Sequence, residues 1–312
     1  MSDEKTYSQM RREFYEKYQR KFVPYLQQFE HERKCKLVLA AVLASIFGIL
    51  GTLLLSVIFF LESKKDCDGI VKLAILLYGL AWGSWYSVKK EFESKIKKQI
   101  MPQVCKCFGD MRWSEGSYSD TDLFVKAGLI PAAYSGADYD DVFTGSYKDV
   151  KIEIVEAEFD VGTGKNRRTV FNGVMVKLDM NKNFSGHTII KPDGFFHNSP
   201  LPELKQTMLE DVQFEKKFDV FTDDEVEARY LLTPSFMERL KNMQTAFKAD
   251  KISCSFHDKY LIIALHTNKD LFSLCSLVKP VDDSRQYFTM YEEIVSIIKL
   301  IDHFKLDQKI GL

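Results

Sequence analysis

The chain has 312 residues, of which 46% are hydrophobic and 13% aromatic, so extensive disorder is excluded over most of it. Its formal net charge is −1, but residues 113–312 hold 24 Lys and Arg against 32 Asp and Glu. This acidic balance argues against a nucleic-acid partner, because neutralisation of phosphates supplies most non-specific affinity. The six cysteines are scattered and lack the spacing of a zinc site.

Two apolar segments dominate the first third of the chain. Residues 37–61 contain no charged side chain, and residues 70–88 contain only Lys72. As helices they would be about 37 and 28 Å long, and the hydrocarbon core of a bilayer is about 30 Å thick. The sequence therefore predicts a transmembrane helical hairpin over residues 37–88, with a short polar turn at residues 62–69.

Lys and Arg are concentrated on both sides of this hairpin. Residues 1–36 hold nine of them, and residues 89–112 hold seven. Because basic residues mark the cytoplasmic ends of membrane helices, we expect both termini in the cytoplasm and a small loop on the other side. The same basic segments are suited to contact with anionic lipid headgroups.

Small residues recur on both apolar segments. Gly48 lies in a stripe on the first segment, and Gly79 and Gly83 lie in a stripe on the second. Small residues let helices approach closely in lipid. Two interpretations are open: the stripes pack against each other within one chain, or the Gly79–Gly83 face packs against a second copy. Neither segment contains Asp, Glu, His or Arg, which argues against a transporter or a proton pump.

The segments that flank the hairpin, residues 1–36 and 89–112, have helical periodicity. Apolar side chains recur every three or four residues in both, which predicts one buried face on each helix. We expect the two helices to pack antiparallel as a juxtamembrane stalk. The first helix has an alternative, which is to lie on the membrane as a basic amphipathic helix. Pro24 is expected to kink or break it.

Residues 113–312 are predicted to form a cytoplasmic α+β domain with a mixed or antiparallel sheet. Apolar runs and turn residues, such as those at Lys148 and Asp149, define the predicted strands. A short helix is expected at residues 120–127, and a longer helix closes the domain over about residues 284–304. The predicted strands are residues 141–147, 150–159, 169–180, 187–191, 214–221, 251–256 and 260–266.

No catalytic, cofactor or metal site is predicted, and enzymatic activity is not expected. Residues 162–166 read GTGKN, but they lack the first Gly and the final Ser or Thr of a phosphate loop and fit a hairpin loop. Among the histidines, only His197 stands in a loop suited to a metal ligand. Asp138, Asp140 and Asp141 lack the Gly and the distal Glu of a calcium loop, so a solvated acidic turn is expected there.

The most distinctive stretch is residues 218–240, FDVFTDDEVEARYLLTPSFMERL. Asp223 or Asp224 can cap a helix that begins near Glu225. Arg229 follows Glu225 by four residues, so the two side chains can pair on one helix face.

This stretch closely resembles the hallmark of the bacterial DUF3137 family, and residues 169–186, TVFNGVMVKLDMNKNFSG, and the two apolar segments resemble it too. The resemblance implies a bacterial cytoplasmic-membrane protein without an established biochemical activity, and a loose association with LemA-type membrane proteins. The motif residues are the candidate interaction site: Asp223, Asp224, Glu227, Arg229 and Tyr230. The alternative is a structural motif, a capped helix that Arg229 ties to a neighbouring strand.

These observations favour a membrane-anchored interaction or scaffold protein that acts through its cytoplasmic domain. A homo-oligomer and a membrane-protein partner are both compatible with the small-residue stripes and the helical stalk. A ligand- or lipid-sensing protein is the alternative, because the sheet leaves room for a pocket. A metal-dependent hydrolase that uses Asp223, Asp224 and Glu227 is the least favoured hypothesis.

Overall fold

The computed structural model of the protein describes residues 2–58, 67–108, 110–180, 182–193, 199–209, 212–269 and 271–308. His197 and most of the expected polar turn between the apolar segments lie outside the described residues. The chain divides into two compact units, a helical unit and a sheet unit. The helical unit comprises Met1–Gln103 and Ser273–Tyr287, and the sheet unit comprises Val104–Phe272 and Phe288–Leu312.

The helical unit is built from three helices, α1 (Ser2–Lys17), α2 (Val23–Ile58) and α3 (Cys67–Cys105). A π-helical turn, Tyr18–Phe22, joins α1 to α2 without a break. Pro24 follows this turn and has no N–H to give to the carbonyl of the preceding helical turn, so the helix widens there instead of ending.

The basic flanking segments pack against each other in the helical unit. Lys36 Nζ lies 2.9 Å from Glu91 Oε1, and Lys95 Nζ lies 2.6 Å from Glu32 Oε1. Along this contact the residue numbers rise in α2 while they fall in α3. The packing of this part of the helix pair is therefore antiparallel. The apolar stripe of the first helix is buried in protein contacts and is not available to lie on a membrane. The buried side chains are Phe14, Tyr18, Phe22, Leu26, Phe92, Ile96 and Ile100.

Residues Ser273–Tyr287, which we call the strap, belong to the helical unit although they follow the strands in sequence. Arg33 of α2 donates through Nη1 to the carbonyl oxygen of Leu277 at 2.9 Å. Glu93 of α3 accepts from the backbone N–H of the same Leu277 at 3.1 Å. Both helices therefore hold the strap through its backbone.

The apolar parts of α2 and α3 are long enough to cross a membrane, and only 11% and 6% of their most apolar windows is buried within the protein. Gly51 faces the ring of Tyr78, which would lie 3.2 Å from an added Cβ. An added Cβ at Gly48, Gly79 or Gly83 would instead meet no described atom within 4 Å. The structure therefore does not support the interpretation in which these glycines pack the two helices against each other.

Among its described residues, the sheet unit has nine strands and five α-helices. The helices are α4 (Thr121–Lys126), α5 (Val212–Glu215), α6 (Glu225–Leu231), α7 (Pro234–Ala246) and α8 (Ser284–Gln308), the last of which begins in the strap. The strands are β1 (Arg112–Glu115), β2 (Tyr134–Tyr147), β3 (Val150–Val161), β4 (Arg168–Asp179), β5 (Thr188–Pro192), β6 (Lys205–Thr207), β7 (Phe218–Thr222), β8 (Lys251–His257) and β9 (Tyr260–His266).

The strand order is β1-β2-β3-β4-β9-β8-β5-β7-β6, and every pairing among the described residues is antiparallel. The expected α+β class is confirmed, and the sheet is antiparallel. Lys148 and Asp149 form the predicted two-residue turn between β2 and β3, with φ of 48° and 65°. The GTGKN run lies between β3 and β4, which is the hairpin position that the sequence analysis favours.

Several local predictions are corrected by the structure. Asp138, Asp140 and Asp141 lie within β2 and not in a turn, and Asp141 is fully buried. The predicted strand at residues 214–221 begins inside α5 and is a strand only from Phe218. The short strands β1 and β6 have four and three residues, too few for a periodic pattern to reveal them.

Both faces of the sheet are covered by helices. Val155 and Ala157 of β3 pack with Phe124 of α4 on one face. On β8, Phe256 contacts Phe236 of α7 with ring centroids 5.5 Å apart. Because apolar side chains are buried on both faces, several strands read as continuous apolar runs rather than as a clean alternation.

Candidate functional site

Helix α6 begins at the distinctive motif, directly after β7 ends. Asp224 is its N-cap, and Asp224 Oδ1 accepts from the backbone N–H groups of Val226 and Glu227, both at 3.0 Å. These bonds satisfy two of the N–H groups that a helix leaves open in its first turn. The predicted cap is therefore present, and it is Asp224 rather than Asp223.

Two other carboxylates of the motif hold a backbone segment that is distant in sequence. Glu227 accepts from the N–H of Ser185 at 2.8 Å and from the N–H of Gly186 at 2.7 Å. Asp223 Oδ1 accepts from the N–H of His187 at 2.6 Å. We call this arrangement of Asp223 and Glu227 around residues 185–187 the carboxylate cradle. Hydrogen bonds to ionised acceptors are stronger than neutral ones, so the cradle fixes α6 against the start of β5.

The exposed side of α6 carries the remaining motif residues. Val226 is 80% exposed and Tyr230, one turn later, is 49% exposed. Arg229 lies beside them, and its Nη2 is 3.7 Å from Glu225 Oε2. We call Val226, Arg229 and Tyr230 the α6 face. The expectation that Arg229 ties the helix to a neighbouring strand is wrong; the cradle carboxylates make that connection, and Arg229 pairs along its own helix.

The carboxylates expected to serve a hydrolase are engaged in these backbone contacts. The structure instead brings together Asp140, Asp141 and Glu156, whose ligand atoms lie within 4.8 Å of one another. Trp113 Nε1 donates to Asp141 at 2.6 Å, and the N–H of Leu271 donates to Glu156 at 3.1 Å. Carboxylate oxygens are ligands that Ca²⁺ and Mg²⁺ prefer. Glu156 cannot be found from the sequence spacing, because it is the pairing of β2 with β3 that places it beside Asp140 and Asp141.

Two histidines lie next to the cradle. The ring centroids of His187 and His257 are 4.3 Å apart, and His187 Nε2 lies 2.9 Å from the hydroxyl of Ser255. Burial lowers the pKa of His187, and the neighbouring His257 lowers it further. No local sequence spacing relates these two histidines, because they are 70 positions apart in the chain and meet through the pairing of β5 with β8.

The cradle and the α6 face lie in a segment that matches a known family model. Residues 169–306 match DUF3137, described as a protein of unknown function. This match bears out the predicted resemblance to DUF3137 over that segment. Within the DUF3137 segment lie both halves of the cradle and the histidine pair, whereas the apolar helices and the Asp140–Asp141 pair lie outside it.

The other comparisons add no function to the DUF3137 assignment. No curated protein matches the chain. The crystal structure of the mycobacterial trehalose monomycolate transport factor A, TtfA, is similar with a TM-score of 0.38 and 9% sequence identity, over 66% of this chain and 94% of that one. A likeness this distant carries no argument for this chain.

Proposed function

We propose that this DUF3137 protein is a membrane-anchored interaction protein that binds a protein partner through the α6 face. The proposal has two parts: the apolar helices provide the anchor, and the exposed side of α6 provides the contact surface.

The anchor is supported by the exposure of the two long helices. A core helix of a soluble protein is mostly buried, whereas the apolar windows of α2 and α3 are 11% and 6% buried. Apolar surface left in water costs about 25 cal/mol per Å², so these helices need a cover. A bilayer supplies it, and the basic segments beside the hairpin would contact anionic headgroups on the cytoplasmic side. In this arrangement the antiparallel part of α2 and α3 is the juxtamembrane stalk of an inner-membrane protein.

The exposed Val226 and Tyr230 carry the second part of the proposal. Large apolar side chains that are exposed on a helix whose other side is fixed by the cradle form a rigid contact surface. Tyr and Arg are enriched among the residues that dominate binding energies at protein interfaces, and α6 presents one of each side by side. Val226 adds apolar area next to them.

Two kinds of partner are compatible with this arrangement. A second copy of the chain can approach the open Gly79–Gly83 side of α3 within the bilayer. A membrane protein of the LemA type can reach the α6 face on the cytoplasmic side. Crosslinking in native membranes separates the two, because the products differ in whether the partner is this chain.

The decisive experiment is capture of partners from detergent-solubilised native membranes by the full chain. Tyr230→Ala should weaken the capture about tenfold or more, since truncation of a central interface residue costs about 2 kcal/mol. Tyr15→Ala is the matched control, because Tyr15 is 52% exposed on α1 and should change nothing. If Tyr230→Ala and Arg229→Ala both leave the captured set unchanged, the α6 face is not the contact surface.

A further inference from the structure

The side chain and the backbone of His187 serve different contacts. Its ring is stacked beside His257 at a centroid distance of 4.3 Å and contacts the hydroxyl of Ser255 at 2.9 Å. Its backbone N–H, by contrast, donates to Asp223 in the carboxylate cradle. A change in the charge of the ring therefore acts on the residue through which the cradle holds α6.

The pairing of β5 with β8 fixes the two imidazoles side by side. Thr188 is opposite Phe256, so the residues that precede and follow them, His187 and His257, share one end of the two strands. His187 is buried, whereas His257 is partly exposed. Two charged rings at this separation would repel each other, and one of them would be charged in a buried position.

We propose that the His187–His257 pair is an acid-sensitive switch that opens the carboxylate cradle and releases α6. While the buried ring of His187 is uncharged, it stays stacked beside His257, and residues 185–187 remain in the cradle. Acidification places a charge on this buried ring beside a second imidazole, so the ring leaves its position beside Ser255 and its N–H leaves Asp223. The consequence for partner binding rests on the proposed function of the α6 face, but the opening itself does not.

The charged groups around the pair determine the direction of the effect. Around His187 they are His257 at the end of β8, Asp223 after β7 and Glu203 in the loop before β6. Burial and His257 lower the pKa of His187, against the opposing effects of the Ala127 backbone and of the two carboxylates. Asp258 Oδ2 lies 3.5 Å from His257 Nε2.

The sign of the pH dependence follows from the lowered pKa of His187. The open or unfolded form binds a proton near the ordinary value of about 6.5, whereas the closed form resists it until lower pH. The closed form is thus fully stable above about pH 6.5 and loses stability as the pH falls below that value.

Hydrogen exchange of the full chain in nanodiscs tests the switch without a partner. We expect the protection factors of residues 185–187 and 225–231, corrected for intrinsic exchange rates, to fall severalfold between pH 7.5 and 5.5, because the open form takes up the proton that the closed form resists. His257→Gln removes the imidazole whose effect adds to that of burial on the pKa of His187, so it should reduce this change without abolishing it. His31→Gln, which alters an exposed histidine of α2, should leave it unchanged.

Protection factors that are equal at the two pH values would overturn the switch. Protection factors that fall as much in His257→Gln as in the wild type would overturn it too. Partner capture at pH 7.5 reports on the α6 face alone. If Tyr230→Ala loses partner capture while protection is independent of pH, the switch is rejected and the α6 face remains the contact surface. If Tyr230→Ala keeps partner capture while protection falls with pH, the α6 face is rejected and the switch remains.

Discussion

Gly186 lies at the closest approach between the cradle and the segment that it holds. The two acidic residues that begin the motif lie directly against its Cα: an added Cβ would be 2.6 Å from Asp223 Oδ1 and 2.7 Å from the Cβ of Asp224. The Asp223 carboxylate cannot retreat without losing the N–H of His187. A side chain at position 186 would therefore separate two segments that charge-assisted hydrogen bonds join.

We expect Gly186→Ala to lower the free energy of unfolding of the sheet unit by about 1–3 kcal/mol, the usual cost of overpacking. Urea unfolding of the full chain in detergent, followed through hydrogen exchange of residues 185–187, measures the change. Gly136→Ala is the matched control, because an added Cβ there meets its nearest atom, Arg167 Nη2, at an ordinary 3.7 Å. Equal stability of the two variants would contradict the cradle geometry.

The strap follows the strands in sequence but belongs to the helical unit. It contains no strand and only the first turn of α8, and a hydrogen bond from Arg33 of α2 to the backbone of Leu277 holds it. Arg33 is bound to both carboxylate oxygens of Glu30, at 2.7 and 2.8 Å, while its third nitrogen reaches Leu277. The hydrogen bonds from Arg33 hold the pKa of Glu30 below its usual range.

Replacing Arg33 should release the strap. Arg33→Met leaves the partly buried Glu30 with only the more distant Lys34 Nζ at 3.8 Å, and we expect a loss of about 2–3 kcal/mol, less than for a fully buried pair because Glu30 is partly exposed. Limited proteolysis should then cleave within residues 273–287 faster than in the wild type. Arg20→Met, at an exposed position in the same helical segment, is the control. A strap that stays protected in Arg33→Met would show that other contacts hold it.

Local patterns predict the elements well and the contacts between them poorly. The apolar periodicity of the flanking helices, the Lys148–Asp149 turn and the Asp224 cap all depend on residues within a few positions of one another, and all are found in the structure. The cradle joins Glu227 to Ser185 across 42 positions. No periodicity encodes that separation, because it follows from the strand order β8-β5-β7, which is a property of the whole sheet.

The difference between local patterns and distant contacts also explains which roles of the motif residues are predicted correctly from the sequence. Acidic residues before a helix predict a cap, and Asp224 is one. The sequence does not separate the carboxylates that face inward, Asp223 and Glu227, from the exposed Arg229 and Tyr230. The rotation of α6 about its axis decides that, and it is fixed by the distant Ser185–His187 segment.

At the scale of the whole molecule, the sign of the net charge differs between the segments that flank the apolar helices and the rest of the chain. Residues 1–36 and 89–112 have an excess of Lys and Arg, and residues 113–312 have an excess of Asp and Glu. A membrane with anionic headgroups attracts the basic segments and repels the acidic remainder of the chain. This division favours one orientation, in which the basic ends of α2 and α3 lie at the cytoplasmic surface and the start of α3 lies on the outer side.

The cysteines allow this orientation to be measured directly. Cys35 is exposed just before the first apolar segment, Cys67 is the first residue of α3, and the thiols of Cys105, Cys254 and Cys275 are buried. A membrane-impermeant maleimide should label Cys67 in intact spheroplasts and Cys35 only after permeabilisation. Cys67→Ser should abolish the external labelling. Labelling of Cys35 in intact spheroplasts would reverse the orientation. Release of the protein by alkaline extraction would reject the membrane anchor, because a spanning hairpin of about 30 Å helices does not leave the bilayer when charges are screened or titrated.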